Sequence, residues 1–148
     1  MAEEDRSVFD LPTVDPTSTF KYGEFPEQVG DIFAPKVKKF NTLLVLIHGG
    51  YWRPEYDRVH LRPFAAALSE LGYQVISLEY RRIPGNPDAM VADIDLAIKN
   101  LPSNDFILIG HSAGGHLALV ACAKNEGVKT VIALAPVTSL LATYEMDL

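Results

Sequence analysis

Residues 107–119 read ILIGHSAGGHLAL, with Gly110, Ser112 and Gly114 spaced as G-x-S-x-G. A serine between two small residues, after one apolar run and before another, suits a sharp strand-to-helix turn that lifts its hydroxyl clear of the sheet. The chemistry this permits is nucleophilic attack on a carbonyl. The helix starting at that turn offers its first N–H groups, chiefly that of Ala113, to developing negative charge. The stretch lacks the second glycine of G-x-G-x-x-G and the lysine of a phosphate loop, which argues against a nucleotide ligand.

A second constellation, HGGYWRP, occupies 48–54 at the end of an earlier apolar run. A nucleophile elbow draws its other oxyanion donor from a neighbouring loop. Gly50 and Tyr51 are the candidate donors through their N–H groups, with Gly49 shaping the turn and letting backbone approach a substrate oxygen. Trp52 either lines an acyl or aryl pocket or packs against the loop. His48 reads as a structural hydrogen-bonding residue, since a proton acceptor on the oxyanion side is misplaced.

The elements that must position these residues alternate. TLLVLIHG (42–49), YQVISLEY (73–80), FILIG (106–110) and KTVIALAP (129–136) read as strands, and short continuous apolar runs suit strands buried on both faces. Between the first two, Leu61, Phe64, Ala65, Leu68 and Leu71 mark one helical face, with Gly72 at the C-cap position. A second helix has Asn86 as cap, Pro87 at its first position and Asp88 in its first turn. Its apolar face runs through Met90, Val91, Ile94, Ile98 and Leu101. The helix after Ser112 is apolar nearly all round and is expected at the centre of the molecule. This alternation predicts an α/β fold, a three-layer α/β/α sandwich with a mostly parallel sheet. Residues 1–18 are expected as a flexible arm and 19–148 as the domain. FKYGE and EQVGDIFAP add one or two outer strands.

GHSAGG after HGG, in this order and about sixty residues apart, resembles the α/β-hydrolase superfamily. HGG resembles the hormone-sensitive-lipase-like branch. HGGYW followed by GHSAGGH is most similar to the kynurenine formamidase (arylformamidase)-like hydrolases. EYRRIPG (79–85) resembles their Tyr-Arg segment, and Asp93 matches an acidic position on their next helix. The resemblance spans roughly residues 20–140. It implies a serine hydrolase acting on a small-molecule carboxylic ester or aryl formamide, with Ser112 as nucleophile, an acyl- or formyl-enzyme intermediate, and no metal or organic cofactor.

In that superfamily the acid and then a histidine follow the nucleophile. The 36 residues after Ser112 hold one histidine, His116. It lies one turn along the same helix and reads as a packed or capping residue. Neither His60 nor His111 matches the family position. Glu145 and Asp147 are candidate acids, with no following histidine to orient. The superfamily sheet also has more strands than are legible here. Three readings follow: the N-terminal part of a serine hydrolase, which is favoured; one half of a split hydrolase with a complementing C-terminal chain; or a non-catalytic hydrolase-like binding or interaction module. Each leaves an apolar sheet edge open to self-association.

The totals agree with a soluble domain. The chain has 148 residues, 48% hydrophobic and 22% charged, and a net charge of −6 from 13 basic and 19 acidic residues. Without a basic block, neither nucleic acid nor an anionic membrane is an expected partner. One cysteine, Cys122, excludes an internal disulfide and reads as a buried structural thiol. The acidic N-terminus lacks the apolar core of a secretory signal, and a cytoplasmic location is expected.

Overall fold

The computed structural model describes residues 7–146. Six strands form one sheet: β1 (Ser18–Lys21), β2 (Val29–Phe33), β3 (Leu43–Ile47), β4 (Val75–Leu78), β5 (Phe106–His111) and β6 (Val131–Leu134). Their spatial order is β1-β2-β4-β3-β5-β6. β4, β3, β5 and β6 run parallel, and β1 and β2 join as an antiparallel flank.

Every side chain of β3 and β4 is buried, as their unbroken apolar sequences require. Helices α2 (Pro87–Lys99) and α3 (Ala113–Lys124) pack with Val45, Ile47, Ile76, Leu78 and Leu108 on one face. Helix α1 (Arg62–Glu70) packs with Leu44, Leu46, Val75 and Ile109 on the other. The three layers are those the sequence predicts. Each fully buried Val, Leu or Ile contributes roughly 1.5–3 kcal/mol, so the paired central strands form the stiffest part of the molecule. A final short helix, α4 (Leu140–Glu145), follows β6.

Two helix faces differ from expectation. In α1, Ala65 is fully buried while Phe64 is 41% and Leu71 is 59% exposed. The helix meets the sheet through Ala65 with Ala66, Leu61 and Leu68 beside it, so its larger side chains stand off the contact. In α3, Ala113, Leu117, Ala118 and Ala121 are buried but Leu119 is exposed, so the helix is covered on one side and not central. Other signals hold. Asn86 accepts from the Ala89 N–H at the start of α2, and Gly72 takes φ +106° after α1. Cys122 is free and half-buried, less covered than the buried thiol expected.

Of the 1–18 segment, residues 1–6 lie outside the described residues. Ser7–Asp10 form a 3₁₀ turn. Val14 packs on the α1-side core, and the Thr17 N–H donates to the Ile32 carbonyl. Among the described residues no helix is long and apolar enough to cross a membrane.

Candidate active site

β4 lies on one side of β3 and β5 on the other, so the chain reverses its direction of winding between β3 and β5. A crevice opens at the carboxyl ends of parallel strands at such a point. Both motifs lie there, His48–Trp52 following β3 and Ser112 following β5.

Ser112 has φ 51° and ψ −116°, backbone that L-residues rarely adopt, at a cost of order 1–3 kcal/mol. The surroundings hold it there. Its N–H donates to the Leu134 carbonyl at 2.9 Å, and its own carbonyl accepts from the N–H groups of His116 (3.1 Å) and Val137 (3.3 Å). A Cβ on Gly110 would sit 2.2 Å from the Gly114 carbonyl oxygen, and one on Gly114 would sit 2.1 Å from that of Ile47. Both flanking positions of G-x-S-x-G are therefore closed to any side chain. The serine side chain does not cap α3. The N–H of Ala113, in the first turn, has no intrahelical acceptor.

The HGG segment packs directly on this turn. A Cβ on Gly49 would lie 2.8 Å from the His111 carbonyl oxygen and 3.1 Å from Ser112 Cβ. Beyond it, the Gly50 carbonyl accepts from the Arg53 N–H at 2.9 Å. The two central residues, Tyr51 and Trp52, have φ 53° and 57°. Positive φ at both centres marks a type I′-like turn, which ordinarily takes Gly or Asn, so this loop too stores strain. The structure thus brings Gly49, Gly50, Tyr51, Ser112 and Ala113 to one corner. Trp52 is half-buried and packs on the main core. Its indole meets the His116 ring edge to face, with centroids 6.0 Å apart.

Behind the loop lies a buried ionic cluster. His48 Nδ1 donates to the Gly49 carbonyl (2.7 Å), and Nε2 pairs with Glu79 Oε1 (2.9 Å). The Tyr80 ring stacks on His48, and its hydroxyl donates to the His48 carbonyl at 2.9 Å. Glu79 also accepts from Arg82 Nη1, from the Tyr80 N–H (3.0 Å) and from the Arg58 N–H (3.1 Å). Arg58 reaches on to Asp31 (2.9 Å), which Arg62 also holds (2.8 Å). Burial alone would raise the Glu79 carboxyl, but the His48 hydrogen bond and the Arg82 charge together hold it at about 2. A buried charge needs such pairing to be tolerated. His48 is thus the structural residue expected. Glu79, Arg58, Arg82 and Asp31 were not singled out as site residues, since charges in strands and loops ordinarily face solvent.

His116 Nδ1 donates to the Val137 carbonyl at 3.0 Å, as suits the packed residue expected. Glu145 is exposed at the end of α4, and Asp147 lies outside the described residues.

The BD-FAE family model matches residues 30–134, from β2 to the end of β6. The chain belongs to the BD-FAE family. This BD-FAE chain is 31% identical over 104 residues to a kynurenine formamidase of Salmo salar, covering 66% of this chain and 35% of that protein. It is 26% identical over 140 residues to a kynurenine formamidase of Danio rerio, covering 83% and 47%. Among solved structures it is similar to esterase B from Lactobacillus rhamnosis, with a TM-score of 0.67 and 26% identity over 91% of this chain and 53% of that one. The BD-FAE chain therefore has an α/β-hydrolase fold and spans about half the length, or less, of these relatives.

Proposed function

We propose that this chain carries the nucleophile and oxyanion half of a serine hydrolase acting on carboxylic esters or aryl formamides. Ser112 Oγ attacks the carbonyl carbon, and the carbonyl oxygen becomes an oxyanion received by the N–H groups of Ala113, Gly50 and Tyr51. The acyl- or formyl-enzyme is then hydrolysed. One observation carries this reading: Ser112, at φ 51° on the β5–α3 turn, has Gly49 packed against its Cβ. Strain of that kind, held in place by close packing, is characteristic of reactive sites. The ionic cluster adds support. In a trans peptide the C=O of Gly49 and the N–H of Gly50 point to opposite sides. Anchoring the Gly49 carbonyl on His48 therefore turns the Gly50 N–H away from the cluster. The names of the relatives, kynurenine formamidase and esterase, fit the same two substrate classes.

The acid and base of the triad come from outside these 148 residues. Exposed apolar side chains on β6, Ile132 (43%) and Leu134 (41%), favour a complementing segment or chain over that face as their source. Hydrolysis of p-nitrophenyl acetate and N-formylkynurenine by the chain and by Ser112→Ala tests the reading. A triad lacking members retains only about 10³–10⁴-fold catalysis over water. Slow turnover is expected, and because it comes from the oxyanion donors and binding, Ser112→Ala should change it little. Turnover no faster than in buffer overturns the reading, and fast turnover lost in the variant places a base within the chain.

A further inference from the structure

The segment KVKKFN (36–41) joins β2 to β3, and each of its residues is exposed. Lys36, Lys38 and Lys39 surround Val37, which is 67% exposed, and precede Phe40, which is 42% exposed. The segment does not hang free. The N–H groups of Lys39 and Phe40 both donate to the Gly72 carbonyl, at 3.0 and 3.4 Å. The Phe40 ring stacks on Tyr73 with centroids 4.1 Å apart. Leu71, exposed at the end of α1, adjoins this seam. The result is a fixed ridge of apolar side chains set among lysines.

The ridge lies at the end of the sheet where β3, β4, β5 and β6 begin. Lys99 and Lys124 close α2 and α3 at that end, and Lys129 leads into β6. The helix ends and loops entering these strands thus carry six lysines against three carboxylates, Glu70, Asp105 and Glu126. Lys21, at the far end of β1, is the one lysine elsewhere. The chain as a whole has a net charge of −6. Composition counts charges without placing them, and so gave no reason to expect an anionic partner.

Lysine is a flexible point charge, suited to a fluid array of headgroups. Exposed Val, Phe and Leu beside it have no use on a phosphate backbone. At a bilayer such side chains enter the headgroup–acyl boundary, while lysine stems lie along them and keep their charges in water. We propose that this ridge docks on the surface of an anionic lipid bilayer, with Lys36, Lys38 and Lys39 at the headgroups and Val37, Phe40 and Leu71 between them. The five residues of β3 span about 17 Å, so the HGG loop and the Ser112 turn then face away from the lipid. The docking does not depend on the Ser112 reading.

The test is flotation of the 148-residue chain with vesicles of phosphatidylcholine, alone or with about 30% phosphatidylserine to supply the anionic surface. Binding should require the anionic lipid and fall as salt rises from about 0.1 to 1 M, where charges are screened within about 3 Å. Each lysine near such a surface strengthens binding about fivefold. Lys36→Gln, Lys38→Gln and Lys39→Gln combined should therefore weaken it about 100-fold. Val37→Ser should weaken it about 3–10-fold through lost apolar contact. Lys21→Gln, at the opposite end, should leave it within about twofold. Circular dichroism establishes that each variant is folded, and if the triple variant is not, Val37→Ser and the salt dependence decide. No binding to anionic vesicles, equal binding to neutral ones, or binding unchanged in the folded triple variant overturns the proposal. Polyglutamate and a short DNA duplex are titrated alongside. Tight binding of either, with none to vesicles, would assign the ridge to another polyanion and overturn the lipid reading.

Discussion

Glu79 and His48 face each other 2.9 Å apart, both buried, directly behind the loop that packs on Ser112. The pair links the end of β4 to the end of β3. It converts an otherwise flexible glycine loop into one whose Gly49 carbonyl has a fixed partner. Loop geometry therefore depends on a carboxylate that must stay ionised.

The pH dependence follows from its depressed pKa. Glu79 titrates at about 2 in the fold against 4.5 for a free side chain. A depressed acid stabilises the fold above its unfolded value and loses that contribution as pH falls from about 4.5 toward 2. The difference corresponds to about 3 kcal/mol. Urea unfolding at pH 6, 4 and 3 should show Glu79→Gln less stable by about that amount at pH 6, with the gap narrowing in acid. A gap independent of pH would separate Glu79 from this role.

Ser112→Gly should stabilise the chain by about 1 kcal/mol, because glycine adopts φ 51° and ψ −116° freely. A higher urea midpoint with an unchanged slope is expected. A lower midpoint would show that the serine side chain contributes packing that outweighs its strain.

Two glycine substitutions should differ in kind. Gly49→Ala places a methyl 2.8 Å from the His111 carbonyl oxygen and 3.1 Å from Ser112 Cβ. It should cost about 1–3 kcal/mol and abolish the residual turnover that the oxyanion donors supply. A Cβ on Gly85, at φ +74°, would meet nothing within 4 Å. Gly85→Ala should cost about 1 kcal/mol through backbone strain alone and leave turnover intact. Equal effects on turnover would deny Gly49 its place beside the proposed oxyanion donors.

The outer face of β6 should drive association. Ile132 and Leu134 sit exposed on the edge strand of the sheet, an arrangement that invites pairing with another chain. Light scattering should show concentration-dependent oligomers, diminished by Ile132→Lys combined with Leu134→Lys. A monodisperse monomer at every concentration would count against an associating edge.

The strands and both chemical motifs were legible in the sequence because their signals are local. Unbroken apolar runs gave β3, β4 and β5, and a cap-plus-proline start gave α2. What escaped depends on distance in the fold. The α1 contact runs through Ala65, whose small size lets the helix approach, and periodicity put Phe64 and Leu71 on the same face with nothing to show that they stand off it. In α3 composition suggested burial all round, yet Leu119 faces away from the packed layers. Asp31 and Glu79 lie 48 residues apart and meet through Arg58; EYRRIPG marked the Glu79 segment by resemblance, but no local signal tied it to Asp31. The ring contact of His116 with Trp52 likewise depended on where the loop after β3 came to rest.

The elbow's backbone is fastened at one end to the rim of the molecule. Ser112 gives its N–H to Leu134, the last residue of β6, and takes one from Val137, three residues beyond it. A rim strand frays before a central one, so the Ser112 turn is expected to open with β6 and not with β3. Hydrogen exchange at the Ser112 amide would track the outer edge of the sheet. Any molecule that pairs with that edge would tighten the Ser112 turn from a distance, without touching the serine itself.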